Sequence, residues 1–284
     1  MPSRPFVRAL IWGAGAMLVI VLAYVLLTLR AADAPAPGGG FDPAAFVGAP
    51  PKLDAPNVAT EMEVVDTMLA LAEVRPNDFV VDLGSGDGRI LIAAARSHGA
   101  RGLGVDIDPA RIAEAQANAR AAGVSGRVAF RRQDLFETPL AEADVLTLYL
   151  TQEVNLRLRP RILGQMRPGT RVVSHDFHMG DWRWDQRSLV RTATVYLWIV
   201  PARIAGNWTL SANGRSVPLV IEQSNQNFSG TAGDARIEQG RVTGDRIRFL
   251  ADLGEGRQVF EGRVVGNRIE PIEPGAGWHA ARAR

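Results

Sequence analysis

The chain has 284 residues, a formal net charge of +2 and no cysteine. That length has room for a catalytic core together with a membrane segment and an accessory module, and the missing cysteines exclude disulfides, thiolate metal sites and cysteine nucleophiles. Arginine carries nearly all the basic charge, with Lys52 the only lysine, and the arginines are scattered among Asp and Glu, which argues against a nucleic-acid surface.

Residues Ala9 to Leu29 carry no charge, a run long enough to cross a hydrocarbon core as a helix. Segment 1–30 is therefore expected to be a membrane anchor or a signal segment. Arg4 and Arg8 form a basic leader and Ala32-Asp33-Ala34 is loosely cleavable, but the length of the apolar run and the position of Pro35 favour an uncleaved single-pass anchor in a bacterial inner membrane. Arg4 and Arg8 before the run, against Arg30 after it, favour a domain on the outer, periplasmic side. Segment 31–56 is rich in Pro, Gly and Ala and reads as a flexible tether.

A core domain is expected over 57–201. Thr60-Glu61-Met62-Glu63 has the form of a capping box, followed by Val64, Val65, Met68, Leu69 and Leu71 at helical spacing. Phe79-Val80-Val81-Asp82-Leu83 is a β-branched run suited to a strand buried on both faces. The glycine loop Gly84-Ser85-Gly86-Asp87-Gly88 and the helix-like Arg89 to Arg96 complete the first unit of a doubly wound sheet. A glycine loop alone is weak evidence, since nicotinamide dinucleotides use the same spacing. Here Asp82 precedes the loop, Gly102 to Asp108 forms a second strand ending in carboxylates placed to hold a ribose, and Val128 to Leu135 forms a third with Asp134 near its end.

The strings VVDLGSGDG, GVDID and RRQDLF resemble motifs I, II and III of class I S-adenosylmethionine-dependent methyltransferases. The resemblance implies an α/β, Rossmann-like doubly wound sheet that binds S-adenosylmethionine. The residues it implicates in cofactor binding are Thr60, Asp82, Gly84, Ser85, Gly86, Asp87, Gly88, Asp106, Ile107, Asp134 and Leu135. Ligands of open α/β sheets lie outside the carboxyl ends of the strands, so a methyl acceptor should approach the ends of the fourth and fifth strands, Asp144 to Leu150 and Thr170 to Ser174. No Asp/Asn-Pro-Pro-Tyr follows the fourth strand, which argues against base- and glutamine-directed methylation. From about Thr60 to Val200 the chain resembles a bacterial branch related to the lysine methyltransferases of the ATP synthase c subunit, with Thr151-Gln152 standing where members often carry a proline. That resemblance makes a protein lysine the candidate acceptor, with Tyr149, Glu153, His175 and Asp176 as candidates to position or deprotonate it.

Thr194 to Val200 reads as the last core strand. Beyond it, short alternating strands over 202–273 suggest a small all-β module, a meander or half-barrel, with 274–284 as a tail. Within the module GRVTGDRI recurs as GRVVGNRI, two strand-turn-strand units with hairpin-type Gly-Asp and Gly-Asn pairs. The pattern contains no metal cluster. A membrane-tethered cofactor-binding scaffold without transfer activity is the alternative to an active enzyme; a nicotinamide oxidoreductase is disfavoured by Asp82 and Asp134.

Overall fold

The structure is a computed structural model that describes residues 59–283. The Ala9 to Leu29 run and the 31–56 tether lie outside those residues, and among the described residues no helix is long and apolar enough to cross a membrane.

Helix α1 (Met62–Leu71) buries Val64, Val65, Met68 and Leu69, the face that the helical spacing predicts. Its start corrects the sequence reading, because no capping box forms. Glu61 occupies the N-cap without a side-chain bond, the Thr60 hydroxyl lies 3.3 Å from His175 Nδ1, and the Glu63 carboxylate pairs with Arg191. Thr60 is buried. An interior hydroxyl left without a partner costs about 1–3 kcal/mol, whereas water can satisfy an exposed helix end, so the interior bond prevails.

The core sheet comprises β1 (Phe79–Leu83), β2 (Arg101–Asp106), β3 (Val128–Arg132), β4 (Val145–Leu148), β5 (Arg171–His175), β6 (Gln186–Val190) and β7 (Ala193–Ile199), in the order β3-β2-β1-β4-β5-β7-β6. Neighbours among β1 to β5 run parallel, and β7 is antiparallel to both β5 and β6. Helices α2 (Arg89–His98), α3 (Pro109–Ala121) and α4 (Gln152–Gln165) connect the parallel strands. Alternating strand residues divide between two cores. Val80, Val145, Val173 and Leu197 join the apolar sides of α1, α2 and α3, while Val81, Leu83, Leu146, Leu148 and Val172 join α4, Trp182 and Trp198. The order reverses between β1 and β4, so the crevice expected of such sheets opens at their carboxyl ends. Strand β6 was not predicted. It lies at the sheet edge with only Ser188 and Val190 half-buried, Val190 against the core, while Leu189 points outward at 74% exposure, so its alternation is too short and weak to mark it.

The carboxyl-terminal strands are β8 (Gly206–Ala212), β9 (Arg215–Ser224), β10 (Asn227–Ala232), β11 (Ala235–Arg236), β12 (Glu238–Thr243), β13 (Arg246–Asp252), β14 (Arg257–Val265), β15 (Arg268–Pro271) and β16 (Trp278–Arg282). They run β10-β12-β13-β14-β15-β16-β8-β9, with β11 appended to β10, and the antiparallel pairing of β9 with β10 closes the ring. The module is thus a closed barrel, not a half-barrel. The segment expected as a tail supplies β16, inserted between β15 and β8. Closure removes the edge that an open meander would expose. Eight strands enclose just enough space for side chains, and Trp208, Leu210, Phe228, Phe249, Phe260 and Trp278 fill it. Phe249 stacks on Phe260 at 4.8 Å. The repeated Gly-Asp and Gly-Asn pairs form two-residue hairpins as read, with Gly244 and Gly266 both at φ 59°, the left-handed value that a first-position glycine turn needs.

Candidate functional site

Leaving β1, the chain passes through Gly84, Gly86 and Gly88 at φ 78°, 51° and 81°, a sequence of left-handed turns that glycine adopts without strain. The N–H groups of Gly84 and Ser85 both donate to Val105 O at 2.9 Å, which folds the loop across the end of β2. There Asp106 accepts from Gly86 N–H at Oδ2 (3.1 Å) and from Asp108 N–H at Oδ1 (3.0 Å). Two backbone donors fix its orientation, and each oxygen keeps a lone pair for a further hydroxyl. Asp108, by contrast, caps α3 through Ala110 N–H. Beyond β3, Asp134 Oδ1 accepts from Phe136 N–H at 2.7 Å, and Gln133 N–H donates to Asp106 O, so the two acids sit on adjoining strand ends. Ile107 and Leu135, one residue past each acid, are half-buried and give the cradle apolar flanks.

Asp82 lies beneath the loop. Its Oδ1 accepts from the Thr147 hydroxyl at 2.6 Å, while its Oδ2 and the Ser85 hydroxyl are buried without partners. Burial pushes the Asp82 carboxyl up to about 7, the Thr147 bond opposes this, and the Asp106 and Asp87 charges add to it. Unmet polar capacity beside open glycine backbone and two oriented carboxylates fits a ligand bearing hydroxyls, an amine and an ammonium, as S-adenosylmethionine does.

Asp87 is committed elsewhere. Arg89 holds it through Nε to Oδ1 at 3.0 Å and Nη2 to Oδ2 at 2.6 Å. Burial would raise its carboxyl, but these bonds outweigh that and hold it below the usual range. Arg89 Nη1 also donates to Thr60 O at 2.8 Å. Thr60 therefore joins the glycine loop, through its carbonyl, to the acceptor side, through its hydroxyl.

At the carboxyl ends of β4 and β5 the Tyr149 ring stacks on His175, with centroids 3.8 Å apart and planes 24° from parallel. His175 Nε2 is 3.3 Å from Asp176 Oδ2, and Nδ1 faces Thr60. Burial lowers the His175 pKa, against the opposing pull of Asp176 and Glu61. Tyr149 is raised, first by burial and then by the Asp176 charge. Asp176 adopts a left-handed φ of 60°, held because its Oδ1 accepts from Thr194 N–H at 2.7 Å while its own N–H donates to Thr194 O. The structure thus gathers Tyr149, His175 and Asp176. Glu153 is exposed on the first turn of α4 and does not join that cluster, because the helix directs its buried face through Val154 and Asn155. Sequence reasoning passed over Thr147 and Arg89. The signal for Thr147 was available, a lone hydroxyl in an otherwise apolar buried strand.

The family model of the ANTKMT methyltransferase domain matches residues 82–186. A protein-lysine N-methyltransferase of Saccharolobus islandicus is 41% identical over 150 residues, covering 51% of this chain and 93% of that protein. The mouse adenine nucleotide translocase lysine N-methyltransferase is 30% identical over 179 residues, covering 63% of this chain and 76% of that protein. A crystal structure described as an RNA methyltransferase from Salinibacter ruber, in complex with S-adenosyl-L-homocysteine, superposes with a TM-score of 0.51 at 53% identity, covering 52% of this chain and 96% of that one. Glycine loop, strand-end acids and these similarities agree, and the chain belongs to the class I S-adenosylmethionine-dependent methyltransferases, in the family that includes the protein-lysine N-methyltransferases.

Proposed function

We propose that this methyltransferase acts on the side-chain amine of a protein lysine, with Asp82, Ser85, Asp106 and Asp134 holding the cofactor. The observation that carries the reading is a buried imidazole stacked on a tyrosine and 3.3 Å from a carboxylate at the carboxyl ends of β4 and β5. A lysine ammonium titrates near 10.4 in water and must lose a proton before it can attack. Burial disfavours the charged form of His175 that would repel the arriving cation, the Asp176 carboxylate attracts it, and the Tyr149 ring offers an apolar wall against the aliphatic stem. Bound S-adenosylmethionine supplies an electrophilic methyl group on a good leaving group, so the protein's task is alignment and exclusion of water. The names of the Saccharolobus islandicus and mouse relatives support lysine as acceptor.

Radiolabelled S-adenosylmethionine incubated with a membrane extract tests the acceptor. Label should enter protein, resist ribonuclease, and appear as methyl-lysine after hydrolysis. Because Lys52 is the chain's only lysine, Lys52→Arg removes any self-labelling at lysine. Asp176→Asn should slow incorporation by roughly 10–100-fold, through loss of the charge that attracts the substrate. Ribonuclease-sensitive label would refute the lysine reading and favour an RNA acceptor, as the description of the Salinibacter ruber protein suggests.

The run from Ala9 to Leu29 is further proposed to anchor the enzyme in the inner membrane with the catalytic domain outside. Carboxyl-terminal fusions should then give alkaline phosphatase activity without green fluorescence. The reverse pattern would place the domain in the cytoplasm, where the cofactor is made.

A further inference from the structure

The stretch that leaves the His175-Asp176 end of β5 runs to β6 without regular structure apart from an isolated Met179–Trp182 bridge, yet side chains from outside it claim its carbonyls in turn. Asn155 Nδ2 donates to Phe177 O at 3.1 Å, Gln152 Nε2 to His178 O at 2.8 Å, and Arg159 Nη1 to Met179 O at 2.8 Å. Trp198 Nε1 donates to Trp182 O at 2.7 Å. The next carbonyl, Arg183 O, is held from the barrel by Gln226 Nε2. Gln226 is buried, and its own carbonyl accepts from Val242 N–H. Beside it Arg241 on β12 pairs with Asp185, whose other carboxylate oxygen accepts from Ile199 N–H at 2.8 Å.

These bonds fix two aromatic side chains. Trp184 lies 5.1 Å from Tyr196, and the His178 ring meets the same tyrosine edge-on at 6.3 Å. Tyr196 is the register partner of Ser174, one residue before His175 and on the opposite face of β5. His178 Nδ1 accepts from Gly180 N–H at 3.0 Å, which leaves the ring proton on Nε2.

We propose that the barrel is a positioning element for methyl transfer, with Gln226 and Arg241 as positioning residues that lock segment 177–185 so that His178 and Trp184 form a fixed rim for the acceptor protein around Tyr196, on the face of β5 opposite His175. The proposal rests on the protein-acceptor reading above. Catalysis of this kind depends on alignment, and a rim built from irregular backbone needs such external bonds to stay in one geometry. Four of the five carbonyl clamps come from α4 and β7 of the core, and β7 also holds Asp185 through Leu197 O and Ile199 N–H, so the barrel adds the last carbonyl clamp and the Arg241 pair at the end of the loop.

Full-length Gln226→Ala, Arg241→Ala and Arg241→Lys chains test it by hydrogen–deuterium exchange, S-adenosylhomocysteine titration and label transfer into membrane-extract protein. Both alanine variants should raise amide exchange across 177–185 by at least about tenfold, with exchange in β1 and β4 unchanged. S-adenosylhomocysteine affinity should stay within about twofold and transfer should fall at least about fivefold, with Arg241→Lys restoring both loop protection and rate. Arg241 is partly exposed, at 44%, so its variants should fold even where Gln226→Ala does not. Unchanged loop exchange in Arg241→Ala overturns the proposal, as does a loosened loop that transfers methyl at the full rate. If the unaltered enzyme labels no protein, the acceptor reading fails, and the exchange result still decides whether the barrel fixes the loop.

Discussion

Asp106→Ala should weaken S-adenosylhomocysteine binding by about a hundredfold. The carboxylate at the end of β2 is held by Gly86 N–H and Asp108 N–H and keeps two lone pairs for the vicinal hydroxyls of a ribose. Two hydrogen bonds to a charged acceptor contribute about 1.5 kcal/mol each at the low end, or about 3 kcal/mol together, and every 1.4 kcal/mol is tenfold in affinity. Some loss will come through the loop, because Gly86 N–H is left without its acceptor. Calorimetry on the variant, paired with its melting temperature, separates the two. An affinity within threefold of the unaltered chain would remove Asp106 from the cofactor site, and a collapsed melting transition would make its role structural.

The cofactor side was readable because each of its parts is local. Asp82, Asp106 and Asp134 follow short β-branched or apolar runs, and the glycines that turn the chain stand between two of them, so the parallel sheet follows once those runs are taken as strands. The acceptor side needed distance. Thr60 looked like a helix cap because its neighbours supply the capping pattern, but its partner is His175, a residue 115 positions away. Glu153 looked catalytic because it follows β4, and only the phase of α4 shows that Val154 and Asn155 take the inward positions. Edge strand β6 carries only a weak alternation, because Ser188 and Val190 are merely half-buried. Barrel closure depends on β16 reaching β8, which lies 66 residues earlier between Ala212 and Trp278, a pairing that no local turn signal encodes. Gln226 and Arg241 read as ordinary polar residues of a hairpin, since the Arg183 carbonyl and the Asp185 carboxylate they hold belong to a loop of the core domain.

Asp82→Asn should flatten the pH dependence of stability and leave the cofactor-free protein more stable than the unaltered chain at pH 8. Burial holds the Asp82 carboxyl at about 7 in the folded chain against 3.8. The unfolded chain therefore sheds this proton near pH 4 while the folded chain keeps it until about pH 7. Across that window the folded state binds more protons, so stability falls as pH rises and levels off above 7. The full shift corresponds to about 4 kcal/mol, each unit being about 1.4 kcal/mol, and at roughly 2–4 °C per kcal/mol for a unit of this size the melting temperature should drop by about 8–16 °C between pH 4 and pH 8 relative to the variant. The asparagine carries no charge at any pH, and its Oδ1 can still accept from Thr147, so at pH 4 the two proteins should melt within a few degrees of each other. Cofactor affinity should move the opposite way. The buried oxygen without a partner, Oδ2, becomes an amide that cannot take up the negative charge an incoming ammonium would stabilise. Binding by the unaltered chain at pH 7 should accordingly release a fraction of a proton, seen as a dependence of calorimetric heat on buffer ionisation enthalpy, and Asp82→Asn should abolish that dependence. Parallel melting curves from pH 4 to pH 8 would show that Asp82 is ionised throughout, with its charge met by a partner other than Thr147.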